Sequence, residues 1–269
     1  MKIALLIAGL PRQWRYCIQS QLDMLKNHEV DVYCWFWNTL PPQERMRLTN
    51  SIKGLKACAF ESPRDFGDWD DNLDITPDNI NIPSRMMSQY YAWSKVAELF
   101  LNNKGDYDLA IRSRSDLQFV TGIDDILDKV TSEGLVVPWT EKDVFISDLF
   151  AVGRVSQILY YLSMYQFIER YAEDTLFNSE LLLARHLFDK VGVNLVIDEK
   201  LSERFFVRRP YMKNMSPEEC LKHPAGMSKW LDPEIISAHE KLRGVGHVTQ
   251  FREKQIKHIK DRENDSGEN

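Results

Sequence analysis

Ile3 to Ala8 is apolar at every position, without the alternation of a strand that keeps one face in water. Both faces of such a strand are covered, as in a parallel sheet. Gly9-Leu10-Pro11 then turns the chain. Between Pro11 and Asn27 the apolar residues Trp14, Ile18, Leu22 and Leu25 recur at helical spacing, with the proline near the first turn. A second apolar run, Val30 to Trp37, follows at once, so the first 38 residues predict a βαβ unit with a right-handed crossover. A short helix is expected over Gln43 to Ile52 and a strand over Leu55 to Phe60. The acidic stretch DFGDWDDNLDITPDNINIP has little periodicity and reads as a surface excursion.

Ser84 is placed to cap a helix whose apolar stripe is Met86, Tyr90, Trp93, Ala97 and Phe100. Strands are expected at Tyr107 to Ile111, Leu135 to Val137 and Leu149 to Val152. Val155, Ile158, Leu162 and Tyr165 mark one later helix, and Phe177, Leu181, Ala184, Phe188 and Val191 another. Val193 to Ile197 and Arg204 to Val207 close the set of strands. This alternation predicts an α/β fold, a single Rossmann-like domain over residues 1–250 with a mainly parallel mixed sheet flanked by helices. From Phe251 the chain is almost wholly polar, and 251–269 is expected to be a disordered tail.

Composition narrows the classes. With 269 residues, 43% of them hydrophobic, the chain can bury one large core. A formal charge of -6 and a pI near 5.6 exclude a general nucleic-acid binder, which needs clustered Lys and Arg in net excess. Cys17, Cys34, Cys58 and Cys220 lack CxxC spacing, so neither a zinc site nor a disulfide framework is indicated. The opening MKIALLIAGLPRQW is cut off by Pro11 and Arg12 and reads as a buried strand rather than a signal peptide. No run approaches the roughly 18 apolar residues of a membrane helix, so the expectation is a soluble, cytoplasmic protein.

Ligands of an open α/β sheet sit outside the carboxyl ends of its strands, and this rule ranks three acidic motifs. Asp106-Tyr107-Asp108 precedes its strand and lies at the wrong end. Asp68-Trp69-Asp70 follows no strand that would deliver it to the crevice. Asp116, in IRSRSDLQF, stands where an apolar strand ends, and in an extended chain Arg112, Arg114 and Asp116 share one face. Two readings stay open: an internal salt-bridge set, or forked guanidinium groups holding a diphosphate while Asp116 binds a sugar hydroxyl or a divalent metal. Gly9, Pro11 and Arg12 open the first helix and offer either a phosphate site or a plain tight turn. Trp37 and Asn38, ending the second strand, stand where a nucleotide base would lie. Glu180 shares a helical row with Leu176, Leu183 and Leu187, a carboxylate at the edge of an apolar face that needs a partner or a ligand. His186 falls off the apolar stripe and is expected in solvent.

RSRSDLQF, the preceding SQYYAWSKVAELF helix, and ISDLFAVG followed by a Tyr-rich helix resemble a group of bacterial and viral glycosyltransferase-like proteins. That group is similar to GT-A-type nucleotide-sugar transferases, and the likeness covers roughly residues 1–200. The resemblance implies transfer of a sugar from a nucleotide-diphosphate donor to a glycan or glycoconjugate acceptor, as in polysaccharide biosynthesis, with Mn or Mg as the usual cation. It places Asp148 near the acceptor side, where it is either a general base or a strand-start or turn carboxylate, and a metal-binding histidine late in the chain, where His247 is preferred to His223 and His239. Where the D-x-D motif of that superfamily has its first Asp, this chain has Arg114, so the metal is in question. The alternative is a non-catalytic nucleotide-sugar or glycan-binding module; a nucleotidyl or phosphoryl transferase ranks last, for want of a Walker A motif or a kinase glycine-rich loop.

Overall fold

The computed structural model describes residues 1–72, 83–103, 105–138, 140–141, 145–172, 179–188, 194–210, 212 and 215–221. In chain order the elements are β1 (Lys2–Gly9), α1 (Trp14–Asp23), β2 (Glu29–Trp37), α2 (Pro42–Ser51), β3 (Leu55–Glu61), α3 (Asp68–Asn72) and α4 (Pro83–Asn103). There follow β4 (Leu109–Ser113), β5 (Leu117–Phe119), α5 (Asp124–Glu133), β6 (Leu135–Val137), β7 (Thr140–Glu141), β8 (Phe145–Ile146) and β9 (Ala151–Gly153). The last are α6 (Val155–Leu162), α7 (Ile168–Ala172), α8 (Ser179–Phe188), β10 (Leu195–Ile197), β11 (Phe205–Val207) and α9 (Pro217–Leu221).

Seven strands form one sheet in the order β10-β6-β9-β4-β1-β2-β3, while β5 with β11 and β7 with β8 make separate two-stranded ribbons. β1 lies parallel to β2 and β4, β2 to β3, and β6 to β10. β9 runs antiparallel to both β4 and β6. This is the mixed, mainly parallel α/β architecture that the hydrophobic pattern predicts. Among the described residues no helix is long and apolar enough to cross a membrane.

β1 is apolar throughout because helices cover both faces. Ile3, Leu5 and Ile7 enter a core with Ile18 of α1, Leu48 of α2 and Ile126, Leu127 and Val130 of α5. Ala4 and Leu6 enter the opposite core with Trp93, Val96 and Phe100 of α4, Ile158 and Leu162 of α6 and Leu183 of α8. All are essentially fully buried, each large one contributing about 1.5–3 kcal/mol relative to exposure. The whole predicted stripe of α4 is buried, and Tyr33, Trp35 and Tyr161 are core aromatics.

Several expectations need correction. Part of the acidic excursion is a helix, α3; α4 starts at Pro83, so Ser84 stands in its first turn rather than at the cap, and Asp70 Oδ1 accepts the Ser84 N–H at 2.8 Å. β5 and α5 are absent from the pattern-based expectation, although Ile123, Ile126, Leu127 and Val130 carry helical spacing and all are buried. His186 is fully buried rather than solvated. It stacks on Tyr160 at 4.3 Å, and its Nε2 lies 2.7 Å from the Tyr160 carbonyl. The polar tail 251–269 lies outside the described residues.

Gly54, in the turn before β3, has φ +77°, and a Cβ there would run into the Val30 carbonyl. Gly54→Ala is expected to lose about 2 kcal/mol of stability, measurable as a lower urea midpoint at unchanged slope.

Candidate functional site

β1 and β4 are parallel neighbours in register, Ile7 opposite Ser113, so the segments leaving their carboxyl ends meet. Gly9 takes φ +110°, a backbone state open to glycine, and turns the chain out of β1. Ser115 stitches the two loops: its hydroxyl donates to the Leu10 carbonyl at 2.6 Å and accepts the Arg12 N–H at 3.1 Å. From α1 the fully buried Gln21 donates to the carbonyls of Arg114 (2.7 Å) and Leu117 (2.9 Å).

These bonds end the strand at Ser113, and the extended stretch expected through Asp116 is instead a turn. Arg112, Arg114 and Asp116 therefore do not share a strand face. Arg114 and Asp116 meet across the turn in a fork, Nε to Oδ1 at 2.8 Å and Nη2 to Oδ2 at 2.9 Å. Burial works against both charges. The fork more than offsets it, raising Arg114 above the ordinary arginine value and, with Arg209 and Arg12 nearby, holding the Asp116 carboxyl below the usual carboxylate range.

Arg112 points to the α4 side of the sheet and is 2% exposed. Its Nη1 donates to the Asp148 carbonyl, and its guanidinium lies over Trp93 at 4.3 Å and near Tyr161 at 5.8 Å. Among the described residues no carboxylate forms a salt bridge with it, and its Nε is buried without an acceptor. Burial lowers its pKa from the arginine value.

A cavity of about 570 Å³ opens at these strand ends. Gly9 and Arg12 come to it from β1, Trp37 from β2, Arg64, Asp65 and Phe66 from the segment after β3, and Arg112, Arg114 and Asp116 from β4. α4 adds Ser84, Arg85, Ser88, Gln89 and Trp93. Five arginines thus face two aspartates. The charges are close enough to act on one another: at Arg12, partial desolvation lowers the pKa, Asp116 opposes it, and Arg114, Arg209 and Arg85 lower it further. A Cβ on Gly9 would stand in open space, so glycine is required there by its φ and not by crowding.

Other expected residues lie off the cavity wall. Pro11 is buried, and the backbone N–H of Asn38 is held by the Glu61 carbonyl at 2.6 Å; neither lines the cavity. Trp37 does, stacked on Tyr91 at 5.6 Å, with Arg64 over the same tyrosine at 5.0 Å. Asp148 comes to the carboxyl end of β4 because β9 runs backwards past it, Ala151 opposite Arg112. Its Oδ2 accepts from Gln89 Nε2 at 2.7 Å, and Gln89 does line the cavity. Glu180 accepts from Ser179 Oγ at 2.8 Å; burial, and then the Asp148 charge, push its pKa up. Neither carboxylate lines the cavity. Asp108, at the amino end of β4, binds the Lys2 N–H at 2.7 Å, away from the site.

A divalent cation of the Mg or Mn kind is ordinarily held by one or two carboxylates together with substrate phosphates. Asp116 has both oxygens committed to Arg114. Among the described residues, no three His, Cys, Asp or Glu side chains converge as a metal site. Asp116, so committed, does not fit a divalent cation; the other carboxylate of the cavity is Asp65, whose Oδ1 accepts the Gly67 N–H at 2.9 Å. His223, His239 and His247 lie outside the described residues.

Arg64, Arg85, Gln89, Ser115 and Gln21 are absent from the sequence-based set. Arg64 follows the carboxyl end of β3, where the strand-end rule applies. Arg85, Gln89 and Trp93 are spaced four apart on α4, a row beside its apolar stripe. Ser115 and Gln21 act by long-range bonds that leave no periodic signal.

No family model matches the chain, and neither does any protein of curated function. Among solved structures the chain is similar to the galactosyltransferase LgtC in complex with donor and acceptor sugar analogs, at 14% identity, over 85% of this chain and 84% of that one, with a TM-score of 0.47. It is likewise similar to an active-site mutant of LgtC, at 13% identity, over 85% of each chain, with a TM-score of 0.48.

Proposed function

We propose that the protein is a glycosyltransferase that takes a sugar from a nucleotide-diphosphate donor and passes it to a glycan or glycoconjugate acceptor. One observation carries the reading: Arg112, a buried cation paired with no carboxylate among the described residues, lines a cavity with four further arginines at the carboxyl ends of parallel strands. A buried charge left unpaired costs several kcal/mol, and an anionic ligand would offset that cost. A diphosphate suits forked guanidinium donors.

In the reaction the bond from the sugar's anomeric carbon to the diphosphate oxygen breaks, its electron pair leaving with the diphosphate. The acceptor oxygen bonds to that carbon and gives up its proton. Arg112 and Arg114 meet the charge that grows on the leaving group. Asp148, hydrogen-bonded to the cavity-lining Gln89, is the residue we assign to receive the proton, with Glu180 as the second carboxylate. The strand-end motif RSRSDLQF, which resembles GT-A-type transferases, supports the same reading.

The second reading, a nucleotide-sugar or glycan-binding module, is favoured by a specific observation: neither Asp148 nor Glu180 lines the cavity. The two part experimentally. Incubation with UDP-, GDP-, CDP- and ADP-sugars and a panel of glycan acceptors is expected to release nucleoside diphosphate with one donor. Calorimetric binding without release in every combination supports the module, and absence of any nucleotide binding sinks the transferase and leaves only a glycan-binding module.

A further inference from the structure

We infer that the site compensates the charge of a departing diphosphate with arginines and no divalent cation, and that Asp116 is a positioning residue that aims Arg114; this rests on the nucleotide-sugar reading above. In a metal-assisted site the strand-end aspartate would turn its oxygens to the cation. Here both oxygens of Asp116 are taken by one guanidinium, through Nε and Nη2. That leaves the Nη1 edge of Arg114 outside the fork, on a residue that lines the cavity. Asp116 is 3% exposed, so the fork sits largely out of water, where a charge-assisted pair holds its geometry best.

The surroundings oppose a cation in the same place. Arg12 and Arg209 are close enough to act on the Asp116 charge, and Arg85 on Arg12. A divalent ion entering there meets several positive charges and a carboxylate that is already neutralised. The same charges suit a diphosphate directly. Arg112 supplies a second fixed cation, held over Trp93 at 4.3 Å. As the sugar-to-phosphate bond breaks, the electron pair stays on the diphosphate oxygen, and arginines already in place accept its charge without a metal to recruit.

The test is calorimetric titration of the full-length protein with UDP, GDP, CDP and ADP, once in excess EDTA and once in MnCl2. The nucleotide that binds is expected to do so within about twofold in the two buffers. Asp116→Asn, its fold checked by circular dichroism, is expected to bind roughly tenfold more weakly in EDTA, with manganese restoring nothing, because Arg114 loses its fork. The Mn electron paramagnetic resonance signal, read with protein and nucleotide together, should match that with nucleotide alone. Binding that appears only with manganese, or an Asp116→Asn defect confined to the manganese buffer, overturns the inference and leaves the nucleotide-sugar reading standing. If no nucleoside diphosphate binds in either buffer, that reading falls and the inference falls with it.

Discussion

Asp116→Ala is expected to lower the stability of the protein by about 3 kcal/mol, the lower end of the cost of breaking a buried ion pair from one side. The lower end applies because the Arg114 side chain keeps 22% exposure while that of Asp116 keeps 5%. The loss corresponds to a fall of roughly 6–12 °C in Tm for a chain of this size. Its origin lies in the partner left behind, the Arg114 guanidinium, which loses both bonds of its fork. Removing both partners in Arg114→Met with Asp116→Ala is therefore expected to recover at least about 1 kcal/mol of the single-mutant loss. An additive double mutant contradicts the pairing.

The effect also has a pH signature. The Asp116 carboxyl is held below its usual range in the folded protein, chiefly by Arg114 against the opposing effect of burial. Such a group contributes stability above its unfolded pKa and loses it as pH falls through the lower, folded value. The stability gap between wild type and Asp116→Ala should thus be widest at neutral pH and narrow under acid, as followed by urea denaturation at a series of pH values. A gap that widens on acidification reverses the sign and rejects the assignment.

Arg112→Lys is expected to weaken nucleoside diphosphate binding by about 10- to 100-fold, the equivalent of losing a charge-assisted bond of about 1.5–3 kcal/mol. Lysine keeps the charge but loses the planar fork that spans the Asp148 carbonyl, the Trp93 face and the cavity. Because leaving-group charge is larger in the transition state than in the bound donor, kcat should fall as well as KM rise. Calorimetry and steady-state kinetics check the two parts. If Arg112 were an internal strut, the variant would lose thermal stability while nucleotide affinity stayed unchanged.

Much of the fold could be read from the chain because burial on both faces of a sheet leaves a continuous apolar run, and one-sided helices leave a stripe. β1, β2, β3 and α4 follow from that physics, and the strand-end rule picks RSRSD over two D-x-D matches. In those two, Asp70 holds the Ser84 amide at the start of α4 and Asp108 binds the Lys2 N–H at the far end of β4. The local form of the chosen motif was less legible. An extended reading puts three charges on one face, but bonds from Ser115 and Gln21, the latter some ninety residues away in sequence, turn the chain after Ser113. Arg64 and Arg85 were missed because they come from elements whose ends converge only when the sheet is assembled. His186 was misplaced because its helix is covered on the polar side too, by Tyr160 and Tyr171.

By itself, then, the sequence determined the layered α/β core and the end of the sheet at which charged side chains would gather, since hydrophobic periodicity is a local property and strands end where it stops. Tertiary structure decided which charges meet. The reversal of β9 brings Asp148 to Arg112, the stitched turn gives Asp116 to Arg114, and the packing of α4 leaves Arg112 buried against aromatic rings. Those pairings depend on strand direction and on contacts between distant residues, and hydrophobic spacing along one chain encodes neither.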